Sequence, residues 1–178
     1  MKIRKHHVEN YNAYLKKIIK QYKLFGSGCY SNVYENKDNF SLVKITDDKA
    51  YLIYLKNAVL KYKNIHFPKI YEVVDIYEGN VYMSTLIVME KLYKFQKRKN
   101  ESTKKIMNVV NRDDTKDDSF IEDKNYPNSF NKFIKIMRLL KRNNKRLTDD
   151  FTFSSGLNVM FRKNNDLVVI DPFYYVDV

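Results

Sequence analysis

Three features of this 178-residue chain predict an α+β fold with mainly antiparallel strands. Its β-rich runs come in neighbouring pairs joined by turn signals. Amphipathic helical segments separate those pairs, and the regular strand–helix–strand alternation of a doubly wound sheet is missing. The length suits one well-buried core, or one small bilobal domain.

Taken in order, residues 8–23 place Tyr11, Tyr14, Leu15, Ile18, Ile19 and Tyr22 at helical spacing, with Lys16, Lys17, Lys20 and Lys23 on the other side, which predicts an amphipathic helix on a core. Two β-rich runs follow, around 24–34 and 40–46, separated by the turn-forming Asn36-Lys37-Asp38-Asn39. Residues 48–63 return to helical spacing with Asp48 placed as an N-cap, and His66-Phe67-Pro68 ends that helix. Strands are expected at 70–77 and 81–89, with Glu78-Gly79-Asn80 as the hairpin turn. Residues 96–128 are polar and charge-rich and read as an insert or mobile connection with one short helix near 104–110. Phe130, Phe133, Ile134, Met137 and Leu140 mark a helix over 129–142. A hairpin closes the chain: 157–161, a turn at 163–166, then 167–170. No internal repeat is visible.

Composition narrows the classes. No stretch approaches the roughly 20 apolar residues of a membrane span, so no membrane association is expected. The basic N-terminus is not followed by an apolar run, which argues against a secretory signal. The single cysteine, Cys29, fits a reducing compartment such as cytoplasm. A net charge of +12 favours acidic partners, either an acidic protein surface or nucleic acid. An AT-rich coding sequence, which favours Lys, Asn, Ile and Tyr, would give the same balance. Arg is scarce beside Lys, which weakens the nucleic-acid reading.

Four local features carry possible chemistry. Gly26-Ser27-Gly28-Cys29-Tyr30-Ser31-Asn32-Val33 lies between two strands, where glycines let backbone approach phosphate and Val33 offers an apolar edge to a base; a plain β-turn explains the pattern equally well. Lys44, between Val43 and Ile45, points to the opposite face from its neighbours. Beneath a glycine loop it would reach α/β-phosphates; otherwise it is a solvent-facing strand lysine. The run Leu86-Ile87-Val88-Met89-Glu90-Lys91-Leu92 suits a hinge whose backbone, at Glu90 and Leu92, binds an adenine edge, or simply an inner strand's end. Asn158 and Asp171 stand at the mouths of two short strands, where an amide and a carboxylate would share Mg²⁺ or cap turns.

In this order the features resemble the protein-kinase family: Gly26, Gly28, Ser31 and Val33, then Lys44, Met89-Glu90, Asn158 and Asp171. The resemblance is closer to the small early Ser/Thr protein kinases of lytic short-tailed (autographivirus-type) phages, through Ser155-Gly156-Leu157-Asn158-Val159-Met160, Ile170-Asp171-Pro172 and His66-Phe67-Pro68-Lys69-Ile70-Tyr71. It implies a minimal bilobal kinase-like domain over 1–178: an N-terminal helix (1–23), an N-lobe with an antiparallel sheet and one αC-type helix (24–92), a polar insert or linker (93–128), and a much reduced C-lobe (129–178). It also implies ATP and Mg²⁺ as cofactors, Gly26, Ser27, Gly28, Ser31, Val33, Lys44, Glu90 and Leu92 around the nucleotide, Asn158 and Asp171 on the metal, and host proteins as substrates in the host-cell cytoplasm.

The pattern breaks in three places. The family's catalytic-loop Asp would fall at Phe153, or at Thr152 with one inserted residue; Asp150 is the provisional base, and must come within about 3 Å of the hydroxyl it activates. The helix over 48–63 has no glutamate to pair with Lys44, leaving Asp47 or Asp48. The chain also reaches Val178 soon after Asp171, without an activation segment. A pseudokinase that binds and blocks a host protein is therefore the competing expectation. His6-His7 would be a metal pair or an exposed tail, and the clusters at 97–105 and 141–146 would be docking patches or solvated faces.

Overall fold

The computed structural model describes residues 2–36, 40–93, 101–110, 124–149 and 158–175. The chain divides into two compact units, one of Met1–Asp48 with Lys69–Lys91 and the other of Lys49–Pro68 with Leu92–Val178. Both mix helix and strand, as the α+β expectation requires. No described helix is long and apolar enough to cross a membrane.

The first unit is a six-stranded sheet carrying one helix. Its strands are β1 (Arg4–Val8), β2 (Lys23–Gly28), β3 (Ser31–Glu35), β4 (Ser41–Thr46), β5 (Ile70–Glu78) and β6 (Val81–Glu90), in the order β1-β5-β6-β4-β3-β2. Every residue of β4 is buried, and Leu42, Val43, Ile45, Val73, Ile76, Ile87 and Met89 form the core. A strand covered on both faces reads as a continuous apolar run, which is why its single lysine stands out. Gly79, at φ 57°, supplies the left-handed position of the β5–β6 turn.

The N-terminal helix begins later than its spacing predicts. α1 spans Tyr11–Ile19, with the Asn10 side chain accepting from Ala13 N at 2.8 Å as its N-cap. Residues before it form β1, which pairs parallel with β5, Arg4 opposite Val74 and Val8 opposite Glu78. The sheet is therefore mixed rather than wholly antiparallel. Alternation along β1 also removes the metal-pair reading of His6 and His7. His6 packs against Tyr14, whereas His7 stacks on Tyr77 and its Nδ1 lies 2.9 Å from the Gly79 carbonyl.

The second unit is built around α4 (Asn128–Asn143), whose buried stripe is the predicted one: Phe130, Phe133, Ile134, Met137 and Leu140. The helix expected at 48–63 is α2 (Lys49–Tyr54), continued as a π-helical stretch over Leu55–Val59. There Leu60 N donates to Leu55 O, five residues back. Edge-to-face ring contacts join Tyr54 to Phe67 and Phe67 to Phe133.

Part of the stretch read as a polar insert is an ordered element. α3 (Glu101–Val110) buries Thr103 and Ile106, and the Thr103 hydroxyl donates to Asn165 O at 2.8 Å. Two small antiparallel sheets complete the unit. β8 (Val159–Phe161) pairs with β9 (Leu167–Val169), as the closing hairpin predicts. β7 (Leu147–Asp149) pairs with β10 (Phe173–Tyr175), which the sequence reading did not anticipate.

Candidate functional site

The first half of the site grows out of strand register. Gly26 is opposite Val33, Val33 opposite Lys44, Lys44 opposite Ile87, and Ile87 opposite Val73. Directly opposed residues in antiparallel strands project from the same face, about 5 Å apart at Cβ. Lys44 thus shares a row with the glycine hairpin and with Val33, and only 7% of its surface is exposed. The solvent-facing reading of Lys44 is excluded.

The hairpin itself is β2–β3, tipped by Cys29 and Tyr30, with Gly28 opposite Ser31. Its tip is tethered by a residue the sequence reading overlooked: the Thr46 hydroxyl donates to Tyr30 O at 2.9 Å and accepts from Asp48 N at 3.1 Å. Gly28 is not needed for turning. A Cβ there would lie 3.8 Å from Ser31 Oγ, in ordinary contact, and its φ is not left-handed. What remains for Gly28 is a bare, exposed backbone at the hairpin tip. Ser27 is exposed beside it, and Ser31 is half-buried.

The next row on the same face runs Ser31, Thr46, Thr85, Asp75. Asp75 is a buried carboxylate that the sequence reading also missed; its signal is an acid inside the β-branched run Val73-Val74-Asp75-Ile76. The Thr85 hydroxyl donates to Asp75 Oδ1 at 2.6 Å, so the Tyr82 hydroxyl, 2.9 Å from Thr85 Oγ1, is the donor in that second bond. Burial first, then the Asp75 and Asp47 carboxylates, push the Tyr82 phenol up to about 12 against the lowering effect of its bond with Thr85.

At the end of β6, the Glu90 carboxylate accepts from Lys69 N at 2.8 Å, and Glu90 N donates to Lys69 O at 2.9 Å. Its side chain and its N–H are both committed to holding the entry of β5. Lys91 pairs with Glu35 and donates its N–H to Phe40 O. Leu92 is fully buried, and its backbone makes no hydrogen bond among the described residues.

In the second unit, Asn158 and Asp171 flank the β8–β9 pair at one end. Val159 is opposite Val169, and Ile170 N donates to Asn158 O at 2.8 Å. Asn158 holds a left-handed φ of 65°, which Asn tolerates better than most residues. The Asp171 carboxyl lies close enough to Tyr54 that its charge, after burial and Tyr51, raises the Tyr54 phenol well above 10. An amide oxygen and a carboxylate are hard donors of the kind Mg²⁺ takes, so this pair fits that ion. Among the described residues no three His, Cys, Asp or Glu side chains gather into a metal cluster.

Several bonds fix this hairpin. The Tyr54 hydroxyl donates to Val169 O at 2.8 Å, and Val169 N donates to His66 O at 2.9 Å. Arg162 donates to the carbonyls of Ile65 and Phe67. Burial lowers His66 from 6.5 to about 4, outweighing the raising effects of the Leu167 hydrogen bond and the Asp166 charge. The ring is thus neutral. Nδ1 carries the proton and donates to Leu167 O at 2.9 Å, leaving Nε2 to accept from Ser129 Oγ at 3.1 Å.

Asp150 lies outside the described residues, as do Thr152, Phe153 and the stretch 155–157. The residue before Asp150 is registered: Asp149 stands opposite Phe173, two positions beyond Asp171. Backbone pairing therefore brings the chain entering the expected catalytic loop beside the chain leaving Asp171.

No protein-family model matches the sequence, and no curated protein matches it. Among solved structures, the MAP kinase LmaMPK10 from Leishmania major aligns at 12% identity with a TM-score of 0.42. That alignment covers 90% of this chain and 48% of the kinase, so the chain spans about half the kinase's length. A likeness this distant carries no weight for fold or activity.

Proposed function

We propose that the chain binds ATP with Mg²⁺ and acts as a small kinase-like Ser/Thr phosphotransferase, phage-encoded and directed at host proteins. The observation that carries this reading is the row Gly26, Val33, Lys44 in the first unit. A buried ammonium beside an apolar side chain, in one row with a glycine of the β2–β3 hairpin, suits a triphosphate whose base needs an apolar edge.

In this reading the exposed backbone around Ser27 and Gly28 covers the phosphates and Lys44 neutralises them. The backbone of Glu90 and Leu92 meets the adenine. Asn158 and Asp171 hold Mg²⁺, which supplies charge neutralisation when bound. Positioning and charge account for most of phosphoryl transfer, so Asp150 as provisional base would orient the accepting hydroxyl and take its proton.

A second reading has its own support. Neither α2 nor its π-helical continuation contains an acidic residue that could pair with Lys44. A pseudokinase that keeps the fold, and blocks a host protein through its basic, Tyr-rich surface without transfer, accommodates that.

A thermal-shift titration with ATP and Mg²⁺ tests the first reading. Ligand at a hundredfold its Kd stabilises the native state by about 2.7 kcal/mol, and no rise in melting temperature at millimolar ATP–Mg²⁺ would reject the phosphotransferase. Labelled ATP then separates the two: label transfer that is lost in Asp171→Asn identifies the enzyme, and no transfer together with tight association with one host protein, unaffected by Lys44→Met, identifies the pseudokinase.

A further inference from the structure

We propose that Thr46 is a positioning residue for phosphate binding: its buried hydroxyl clamps the tip of the β2–β3 hairpin to the chain leaving β4, so the backbone around Ser27 and Gly28 is held in place before nucleotide arrives. The clamp stands on geometry alone. Its use in binding rests on the nucleotide reading given above.

The hairpin tip is weakly supported by its own strands. β2 ends the sheet order, and its ladder to β3 is interrupted by a bulge between Leu24 and Gly26. Beyond the bulge Ser27, Gly28, Cys29 and Tyr30 are all exposed, Tyr30 by 67%. A segment with so little burial opens at low cost.

Thr46 reaches this tip from the side. It stands opposite Ser31, the first residue of β3, and only 2% of its surface is exposed. Its hydroxyl donates to Tyr30 O at 2.9 Å and accepts from Asp48 N at 3.1 Å, and one hydroxyl can make both bonds at once. A side chain serving only the local turn would need no more than the bond to Asp48 N, two residues on. The bond to Tyr30 O spans 16 residues and joins the tip to the end of another strand. Lys44 precedes Thr46 by two positions and so shares its face of β4. The clamped carbonyl and the buried ammonium are therefore fixed in neighbouring rows of one sheet. Affinity for a ligand falls with the fraction of molecules in the competent form, and the clamp raises that fraction for the hairpin.

Two variants of the full chain test the hydroxyl: Thr46→Val removes it and keeps the shape, whereas Thr46→Ser retains it. Cys29, the single thiol and exposed at the tip, takes a nitroxide whose spin-resonance line shape reports tip mobility without nucleotide. Thr46→Val should sharpen that spectrum, and Thr46→Ser should match the parent. Calorimetry on the unlabelled proteins should show ATP–Mg²⁺ bound about two- to tenfold more weakly by Thr46→Val, with the parent's affinity in Thr46→Ser. Thr46→Ala takes the place of Thr46→Val if that variant does not fold. An unchanged line shape, an unchanged ATP–Mg²⁺ affinity, or a Thr46→Ser tip as mobile as that of Thr46→Val would overturn the proposal. A parent that binds no ATP–Mg²⁺ removes the nucleotide reading and this role with it, while the line shapes still decide whether the hydroxyl holds the tip.

Discussion

Val33 and Lys44 stand directly opposite each other on neighbouring antiparallel strands, so an apolar side chain at the foot of the glycine hairpin and a buried ammonium share one face. A lysine so buried lies in a strand of otherwise largely apolar residues, Ser41 to Thr46. Lys44→Met, which keeps the stem and removes the charge, should melt within a few degrees of the parent but lose its response to ATP–Mg²⁺. An unchanged thermal shift would remove Lys44 from the nucleotide.

The Asp171 carboxyl is expected to act on the metal. Asp171→Asn should respond equally to ATP with and without Mg²⁺, whereas the parent should respond more strongly with the ion. Paired thermal-shift titrations at one ATP concentration read this directly.

Tyr54 offers a stability test separate from the ligand. Its hydroxyl donates to Val169 O, and both residues are fully buried. Tyr54→Phe strands that carbonyl, and the expected cost is about 1–3 kcal/mol in urea denaturation. A loss below half a kcal/mol would show that this bond does not hold β9.

His66 should make stability depend on pH. Its native pKa is lowered from 6.5 to about 4, so between those values the unfolded chain binds a proton that the native state does not. Stability from this group is therefore complete above pH 6.5, falls as pH drops toward 4, and levels off below. At ~1.4 kcal/mol per unit, the loss across the window is about 3 kcal/mol. Urea midpoints from pH 7 to pH 4 should show the decline in the parent, and His66→Gln should flatten it.

Much of this architecture is legible in the residues. The apolar stripe of α4 repeats at helical spacing, and Glu78-Gly79-Asn80 marks a turn that needs one left-handed residue. The lysine in Ser41–Thr46 is conspicuous because its neighbours are apolar. Other parts leave no local trace. Arg4–Val8 reads as a basic tail because its residues are polar, and it becomes a strand only because β5 offers a free edge. Asp75 looks like any strand carboxylate until Thr85 and Tyr82 are placed around it.

By itself the sequence determined which segments bury one face, since periodicity is a local property of the chain. It also ordered the glycines, the lysine, the amide and the carboxylate. Only the tertiary structure decided the partners: β1 on β5, β7 on β10, Val33 opposite Lys44, and His66 neutral between Leu167 and Ser129. The reason is physical. Backbone groups must be hydrogen-bonded wherever they are buried, and their partners here lie from 11 residues away, for Val33 and Lys44, to 101, for His66 and Leu167, beyond the reach of a helical or strand period.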